Sequence, residues 1–250
     1  MIMLDALLVP PRSGAPEWID LPETPFEDVL QAMQDIQRIN GLLLTYPILL
    51  GVLERLARFP ADRPLRVLDV ATGLADIPRA LVDWARRRGQ AVEVVGLDLN
   101  PRILAMAAPR LEGYPEIRLV EGDALALPFE AGHFDWAMCH LALHHFPPET
   151  HPAFFTELDR VIAPGGGVIV GDLERSRLHY AAAVPFLNLL TSRVCARDGL
   201  QSILNALSAG ELSRLLDETG LGYVRREWLA PPTQFLVAGV KPASSAVSQM

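Results

Sequence analysis

The sequence predicts an α/β protein built on a mostly parallel β-sheet with helices on both faces. Two observations carry this. From Leu65 onward, short apolar segments alternate with amphipathic helical segments, the rhythm of a parallel sheet with crossover helices. The last two strand-like segments, Tyr223–Leu229 and Gln234–Val240, are separated only by Ala230-Pro231-Pro232-Thr233. That linker is too short for a crossover helix, so this pair is expected to be an antiparallel hairpin.

Taken in order, residues 10–25 hold five prolines and read as an extended lead-in. Phe26, Val29, Leu30, Met33 and Ile36 recur at helical spacing, as do Leu49, Val52, Leu53 and Leu56, so residues 26–59 read as two helices broken near Gly41–Pro47. Residues 59–64 form a linker. Arg66–Val70 is a strand, and Ile77–Arg88 a helix whose Ile77, Leu81, Trp84 and Ala85 share one face. Val92–Leu97 is a strand ending in Asp98. Asn100-Pro101 supplies an N-cap and a proline at the first helical position, opening a helix to Ala108. Ile117–Glu121, Trp136–His140 and Gly167–Gly171 are further strands, with a helix near Ala153–Ile162. Residues 174–207 break the rhythm with a long helical pattern. Ser208 and Glu211 form a capping-box pattern, and Gly220 suits the end of that helix. The final ten residues read as disordered.

Composition narrows the function. The 250 residues carry 22 basic and 30 acidic side chains, a net charge of −8, and half are apolar. A nucleic-acid groove needs clustered Lys and Arg and is disfavoured. Lys241 is the only lysine and sits in a Ser/Ala-rich tail, which argues against a catalytic lysine. Cys139 and Cys195 form no CxxC pair and read as small apolar residues of a reduced cytoplasm. HEXXH-type and cysteine-rich metal spacings are absent, so no metal site is expected. The N-terminus lacks a basic region before its apolar residues and makes a poor signal peptide. The longest apolar run, residues 41–53, falls short of the roughly 20 residues of a membrane span. A cytoplasmic protein is expected.

The stretch Val67-Leu-Asp-Val-Ala-Thr-Gly-Leu-Ala-Asp76 is the most informative. A buried strand ends in Asp69, small residues follow at 71, 73 and 75, and a helix begins. Small residues there let backbone amides approach a ligand at a helix N-terminus. The dinucleotide pattern Gly-x-Gly-x-x-Gly is replaced by Ala71, Gly73 and Asp76. A pyrophosphate would meet Asp76 with the same sign of charge, whereas a cationic ligand would not be penalised. At the next strand end, Asp98 can accept from a ribose diol. Asp123, after the third, can accept from an adenine amino group. Three acids, each closing a successive strand, form a pattern that a surface acid or helix cap alone does not explain.

These segments, VLDVATGLAD, VVGLDLNP, EGDALALPF, FDWAMCHLALHHF and LDRVIAPGGGVIVGD, resemble a class I S-adenosylmethionine-dependent methyltransferase. DVATG and LHHF resemble the ubiquinone/menaquinone-biosynthesis-like (type 11) small-molecule group. The resemblance covers residues 65–240. It implies a Rossmann-like seven-stranded sheet in the order 3-2-1-4-5-7-6, with the last strand antiparallel. It implies S-adenosylmethionine as cofactor and S-adenosylhomocysteine as product. It also implies a cofactor site at Asp69, Ala71, Thr72, Gly73, Asp98, Leu99, Asp123, Ala124, His140 and Tyr46. Family members usually carry Gly at position 75 and often at 71. Ala75 would bring a methyl near the cofactor's methionine end, and strain if its φ is positive.

Methyl transfer to a phenol, pKa ~10, benefits from a base. His140, His144 and His145 cluster after the fourth strand, and His144 and His145 are the candidates for that role. Asp172 is a second candidate or a cap. His151 and His179 read as isolated surface residues. The Asn/Asp-Pro-Pro-Tyr signature for an amino acceptor is absent.

The expected organisation is a lead-in and helical cap over 1–60, a methyltransferase core over 61–241 with residues 174–207 as a helical substrate lid, and a tail over 242–250. Both extras are apolar, in Leu42–Leu50 and Ala181–Leu190. They fit an apolar acceptor pocket, ordinary core packing or a homodimer interface. Tyr46, Arg175, Arg177 and Tyr180 are candidates to orient the acceptor or close over the cofactor. The expected activity is methyl transfer to a small apolar acceptor, aromatic, polyketide- or quinone-like, at oxygen in preference to carbon. The alternatives are an NAD-dependent oxidoreductase and a methyltransferase fold that no longer transfers methyl groups.

Overall fold

The computed structural model describes residues 8–227 and 234–243. Two helices open it, α1 (Phe26–Leu42) and α2 (Thr45–Leu56), joined where Leu44 turns into the left-handed region at φ 58°. The sheet follows in βα units. These are β1 (Leu65–Val70), α3 (Asp76–Arg87), β2 (Val92–Asp98), α4 (Pro101–Ala107), β3 (Ile117–Glu121), β4 (Phe134–His140), α5 (His151–Val161) and β5 (Ile162–Leu173). Next come α6 (Arg177–Leu190), α7 (Arg193–Asn205), α8 (Ala209–Glu218), β6 (Arg225–Glu227) and β7 (Gln234–Val240). The sheet has seven strands in the order β3-β2-β1-β4-β5-β7-β6. β1 to β5 are parallel, and β7 runs antiparallel between β5 and β6. The expected topology and closing hairpin are therefore present. The linker 230–233 and residues 244–250 lie outside the described residues.

Each face of the sheet carries its own core. On one, the predicted stripe of α3, Ile77, Leu81, Trp84 and Ala85, packs with Leu49 and Leu53 of α2 against Val67 and Val94. On the other, Phe154, Phe155 and Leu158 of α5 join Leu212 and Leu215 of α8 against Leu68 and Val70. Burying each large apolar side chain contributes about 1.5–3 kcal/mol, which makes these two layers the main stabilising term.

Local signals behave as read. Asn100 accepts from the Arg102 amide at 3.0 Å, with Pro101 at the first helical position. Ser208 and Glu211 form the reciprocal capping box. Ser176 and Ser192 cap α6 and α7, dividing the 174–207 stretch into two helices. β5 is longer than expected, starting at Ile162 instead of Gly167. Its glycines explain this, because a Cβ at Gly166 would overlap the Asp135 carbonyl and one at Gly167 the Gly239 carbonyl. Only bare backbone fits between β4 and β7 there.

Three further expectations are corrected. His151 is buried and bonds the Leu143 carbonyl at 3.1 Å, and His179 is buried and bonds the Glu174 carbonyl at 3.0 Å. Each imidazole is satisfied inside the protein by a backbone carbonyl. Lys241 is tied to the sheet end, its ammonium donating to Asp159 Oδ2 at 3.1 Å and to the Asp159 and Ile162 carbonyls. Arg175 is buried, and it donates to the Ala206 carbonyl at 3.0 Å, to Glu211 Oε2 at 2.7 Å and to the Pro10 carbonyl. It anchors the start of α8 and the lead-in instead of reaching an acceptor.

Ala71 and Ala75 both hold left-handed backbone, at φ 55° and 57°. The expected strain at Ala75 is therefore present, although its methyl is fully buried and forms no part of the cavity wall described below. Left-handed backbone costs an L-residue roughly 1–2 kcal/mol, against roughly 0.5–1 kcal/mol of extra chain entropy for glycine. Ala71→Gly is predicted to raise unfolding stability by about 0.5–1 kcal/mol in urea denaturation.

Candidate functional site

A cavity of about 860 Å³ opens at the carboxyl ends of β1, β2, β3 and β4. β1 is flanked by β2 on one side and β4 on the other, so the chain reverses its winding direction there. That crevice is where open α/β sheets bind ligands. α1, α6 and α7 roof it with Met33, Ile36, Ala182, Phe186 and Ile203.

The floor is set by the loop after β1. Thr72 turns inward, its hydroxyl donating to Asp69 Oδ2 at 2.7 Å and its amide to the Leu97 carbonyl at 2.9 Å. A Cβ at Gly96 would lie 2.7 Å from the Thr72 hydroxyl, so glycine there admits this threonine. Gly73, at φ 54°, sends its amide to Asp98 Oδ2 at 3.0 Å. A Cβ on it would meet the Met33 methyl at 2.8 Å, so the α1 roof rests directly on glycine backbone.

Seven of the ten expected cofactor residues line the cavity: Ala71, Gly73, Asp98, Leu99, Asp123, Ala124 and His140. Asp69, Thr72 and Tyr46 stand behind the wall. Asp69 and Thr72 are consumed by each other, which shapes the loop. Tyr46 donates to Asp76 Oδ2 at 2.6 Å, and Asp76 lines the cavity, so Tyr46 orients that carboxylate. Neither Arg177 nor Tyr180 is part of the wall.

Burial governs the acids. It pushes Asp69 up to about 8, with Thr72 opposing and the charges of Asp76 and Asp98 adding. It also raises Asp98, against the amides of Asn100 and Gly73. Asp98 keeps lone pairs to spare, since a carboxylate has about four acceptor sites. His140 is lowered by burial and so held neutral, beside Gln234 Oε1 at 3.4 Å.

The other end of the cavity holds His144, His145 and Glu17. The chain reaches it through Leu141, at φ 56°, whose amide bonds the Gly171 carbonyl at 2.9 Å. His144 is buried between two carboxylates. Its Nδ1 lies 2.7 Å from Asp172 Oδ1 and its Nε2 3.3 Å from Glu17 Oε1, while its amide donates to Asp172 Oδ2 at 2.8 Å. Burial opposes charge on this ring, but Asp172 and Glu17 together raise it to about 10. Both ring nitrogens are engaged, so His144 is not a free base as expected from sequence. His145 is more accessible. Its Nδ1 lies 2.9 Å from Asp20 Oδ2 and its Nε2 3.9 Å from Glu17 Oε2. The two rings lie 4.3 Å apart, centroid to centroid.

Glu17 and Asp20 come from the proline-rich lead-in, and sequence reasoning missed both. Nothing in their spacing marks them. They reach the site because α7 binds the lead-in backbone. Asp198 accepts from the Trp18 and Ile19 amides at 2.9 Å each, Asn205 from the Gly14 amide at 2.9 Å, and Ser202 donates to Glu17 at 2.6 Å. The six carboxylates of the wall are Glu17, Asp20, Asp76, Asp98, Asp123 and Asp198. No Lys or Arg is among the described residues that line it.

Comparison with known proteins agrees with this geometry. Residues 67–166 match the family described as "Methyltransferase domain". The chain is 35% identical over 139 residues to a demethylmenaquinone methyltransferase of Thermus thermophilus, covering 52% of this chain and 60% of that protein. It is 29% identical over 153 residues to the Lysinibacillus sphaericus protein of the same name, covering 60% and 63%. The matches thus span less than two thirds of these relatives. Among solved structures, a putative O-methyltransferase from Nostoc punctiforme superposes with a TM-score of 0.61 at 19% identity, covering 92% of this chain and 64% of that one. A Haemonchus contortus phosphoethanolamine N-methyltransferase in complex with S-adenosyl-L-methionine does so with 0.61 at 16% identity, covering 88% and 61%. At such identities these structures speak to the fold.

The raised Asp69 gives a pH signature. Unfolded, its carboxyl ionises near ~3.9; folded, near about 8. A folded pKa above the unfolded one means stability present at low pH is lost as pH rises through that window. Asp69→Asn removes the titration. Its stability relative to wild type is predicted to increase by a few kcal/mol from pH 4 to pH 8, read from urea midpoints, and to level off above pH 8.

Proposed function

We propose that the chain is a class I S-adenosylmethionine-dependent methyltransferase and that it methylates a small apolar acceptor, aromatic, polyketide- or quinone-like, at a hydroxyl oxygen. One observation carries the cofactor reading: the cavity is lined by carboxylates with no Lys or Arg among the described residues. A pyrophosphate would find no Lys or Arg there and six carboxylates instead, which weighs against the NAD-dependent alternative. A ligand with a sulfonium and an ammonium matches the wall in sign.

The residues present fit that group. Gly73 and Ala71 leave room for close approach of backbone, and Asp98 stands at the β2 end with acceptor capacity for a ribose diol. Asp123, whose Oδ1 already accepts from Leu125 at 2.8 Å, retains its second oxygen for an exocyclic amino group. Neutral His140 adds no positive charge beside a cationic ligand. When bound, S-adenosylmethionine supplies an electrophilic methyl group on sulfur.

The apolar roof supports the acceptor reading. Ile36, Ile39 and Leu43 of the α1 segment face Ala182, Phe186 and Leu187 of α6 across the cavity. This apolar half excludes water and favours a flat or aliphatic body. Residues 174–207 thereby act as a substrate lid. His145 and Glu17 stand where a hydroxyl of that acceptor can be held and activated, with His144 beside them in the same wall. Activating the hydroxyl raises the nucleophilicity of its oxygen and of the ring carbons conjugated with it, and oxygen is the atom this reading assigns. The name demethylmenaquinone methyltransferase, carried by two relatives, supports a quinol-like acceptor.

The test is a product assay with naphthols and hydroquinones. Wild type is expected to release S-adenosylhomocysteine and an O-methyl product identifiable by NMR. His145→Ala is expected to lower kcat about 100-fold with little change in cofactor affinity. A ring C-methyl product would reassign the acceptor atom. Cofactor binding with no product from any phenolic acceptor would support the non-transferring alternative.

A further inference from the structure

Glu17, His144 and His145 form the group to which hydroxyl activation is assigned above, and no sequence spacing announces it. One oxygen of Glu17 and one ring nitrogen of each histidine lie within 4.8 Å of one another. We propose that these three residues bind a divalent first-row transition metal ion, which displaces the proton between His144 Nε2 and Glu17 into solvent and keeps its remaining coordination positions open to the cavity.

The donor set is two imidazoles and one carboxylate, which suits zinc, iron(II) or cobalt(II) better than magnesium or calcium. The spacing fits. Donors about 2.1 Å from one ion lie about 3.0–3.4 Å apart at tetrahedral or octahedral angles. Glu17 Oε1 is 3.3 Å from His144 Nε2, and Glu17 Oε2 is 3.9 Å from His145 Nε2, a small side-chain adjustment away.

The surroundings are those of a metal site as well. His144 Nδ1 lies against Asp172 at 2.7 Å, and His145 Nδ1 against Asp20 at 2.9 Å. Each carboxylate fixes its ring so that Nε2 faces Glu17. Carboxylate–histidine–metal pairing of this kind orients ligands and raises their basicity. Three carboxylates surround two imidazoles, leaving negative charge that a divalent cation would neutralise. All three ligands line the cavity, so an acceptor oxygen could complete the coordination. The ion would then supply the hydroxyl activation, with His145 as its ligand. Metal binding itself stands independently of the methyl-transfer reading.

The experiment titrates Co(II) and Zn(II) into the chelator-treated full chain, by calorimetry and by the visible absorption of bound Co(II). One ion per chain is expected. Glu17→Gln and His145→Ala are expected to weaken binding at least 100-fold. Asp20→Asn, which touches only the Nδ1 side of His145, is expected to weaken it about 10- to 100-fold. The thermal shift with S-adenosylhomocysteine in each variant confirms folding. Absence of binding, or binding unchanged in Glu17→Gln and His145→Ala variants that keep that shift, overturns the proposal and leaves the cofactor reading standing.

Discussion

The buried chain Asp172–His144–Glu17 is the interaction on which the rest of the site depends. It joins the end of β5, the turn after β4 and the N-terminal lead-in inside the protein. Taking such charges out of water costs several kcal/mol per ion unless each is hydrogen-bonded. Here each is: Asp172 also accepts from the His144 and Leu173 amides, and Glu17 from the Ser202 hydroxyl. Removing any member would leave an unpaired buried group. The lead-in is therefore held over the cavity, and with it Ile19 and Asp20. α7 is committed as well, because Asp198 and Asn205 bind the lead-in backbone and Ser202 the Glu17 carboxylate from one helix face.

A second constraint lies at the strand ends. Ala71, Ala75 and Leu141 all hold left-handed backbone next to the cavity, and only Gly73 among the four such positions in these turns is glycine. Sharp turns there direct the chain back across the sheet and bring the amides and carboxylates of successive loops together. The Gly73–Asp98 hydrogen bond is one outcome, linking the first loop to the second. Strain of this sort persists where surrounding packing over-determines it, and Ala75 lies fully buried under α3.

Much of this was legible in the sequence. Strand order followed from motif resemblance, and the closing hairpin from a linker too short to cross over. Capping residues located helix starts to within a residue or two. Asp98, Asp123 and Gly73 were legible because their positions at strand ends are fixed by the chain itself. What was not legible depends on long-range packing. Glu17 sits 127 positions from His144 in the sequence and carries no local signal. Arg175 looked available to a ligand because its charge is visible in sequence, whereas its partners Glu211 and the Pro10 carbonyl are not. His151 and His179 looked like surface residues for the same reason: burial of a polar ring is decided by carbonyls that only the fold brings near.

A wall rich in carboxylates, with no Lys or Arg among its described residues, beside an apolar roof selects the charge of its ligand before its shape, and this selection is the central claim. Calorimetric titration of the chain with S-adenosylmethionine and, separately, with NADH tests it most directly. The account predicts one S-adenosylmethionine bound per chain and no measurable heat from NADH. NADH binding of comparable affinity, or no binding of S-adenosylmethionine, would contradict it.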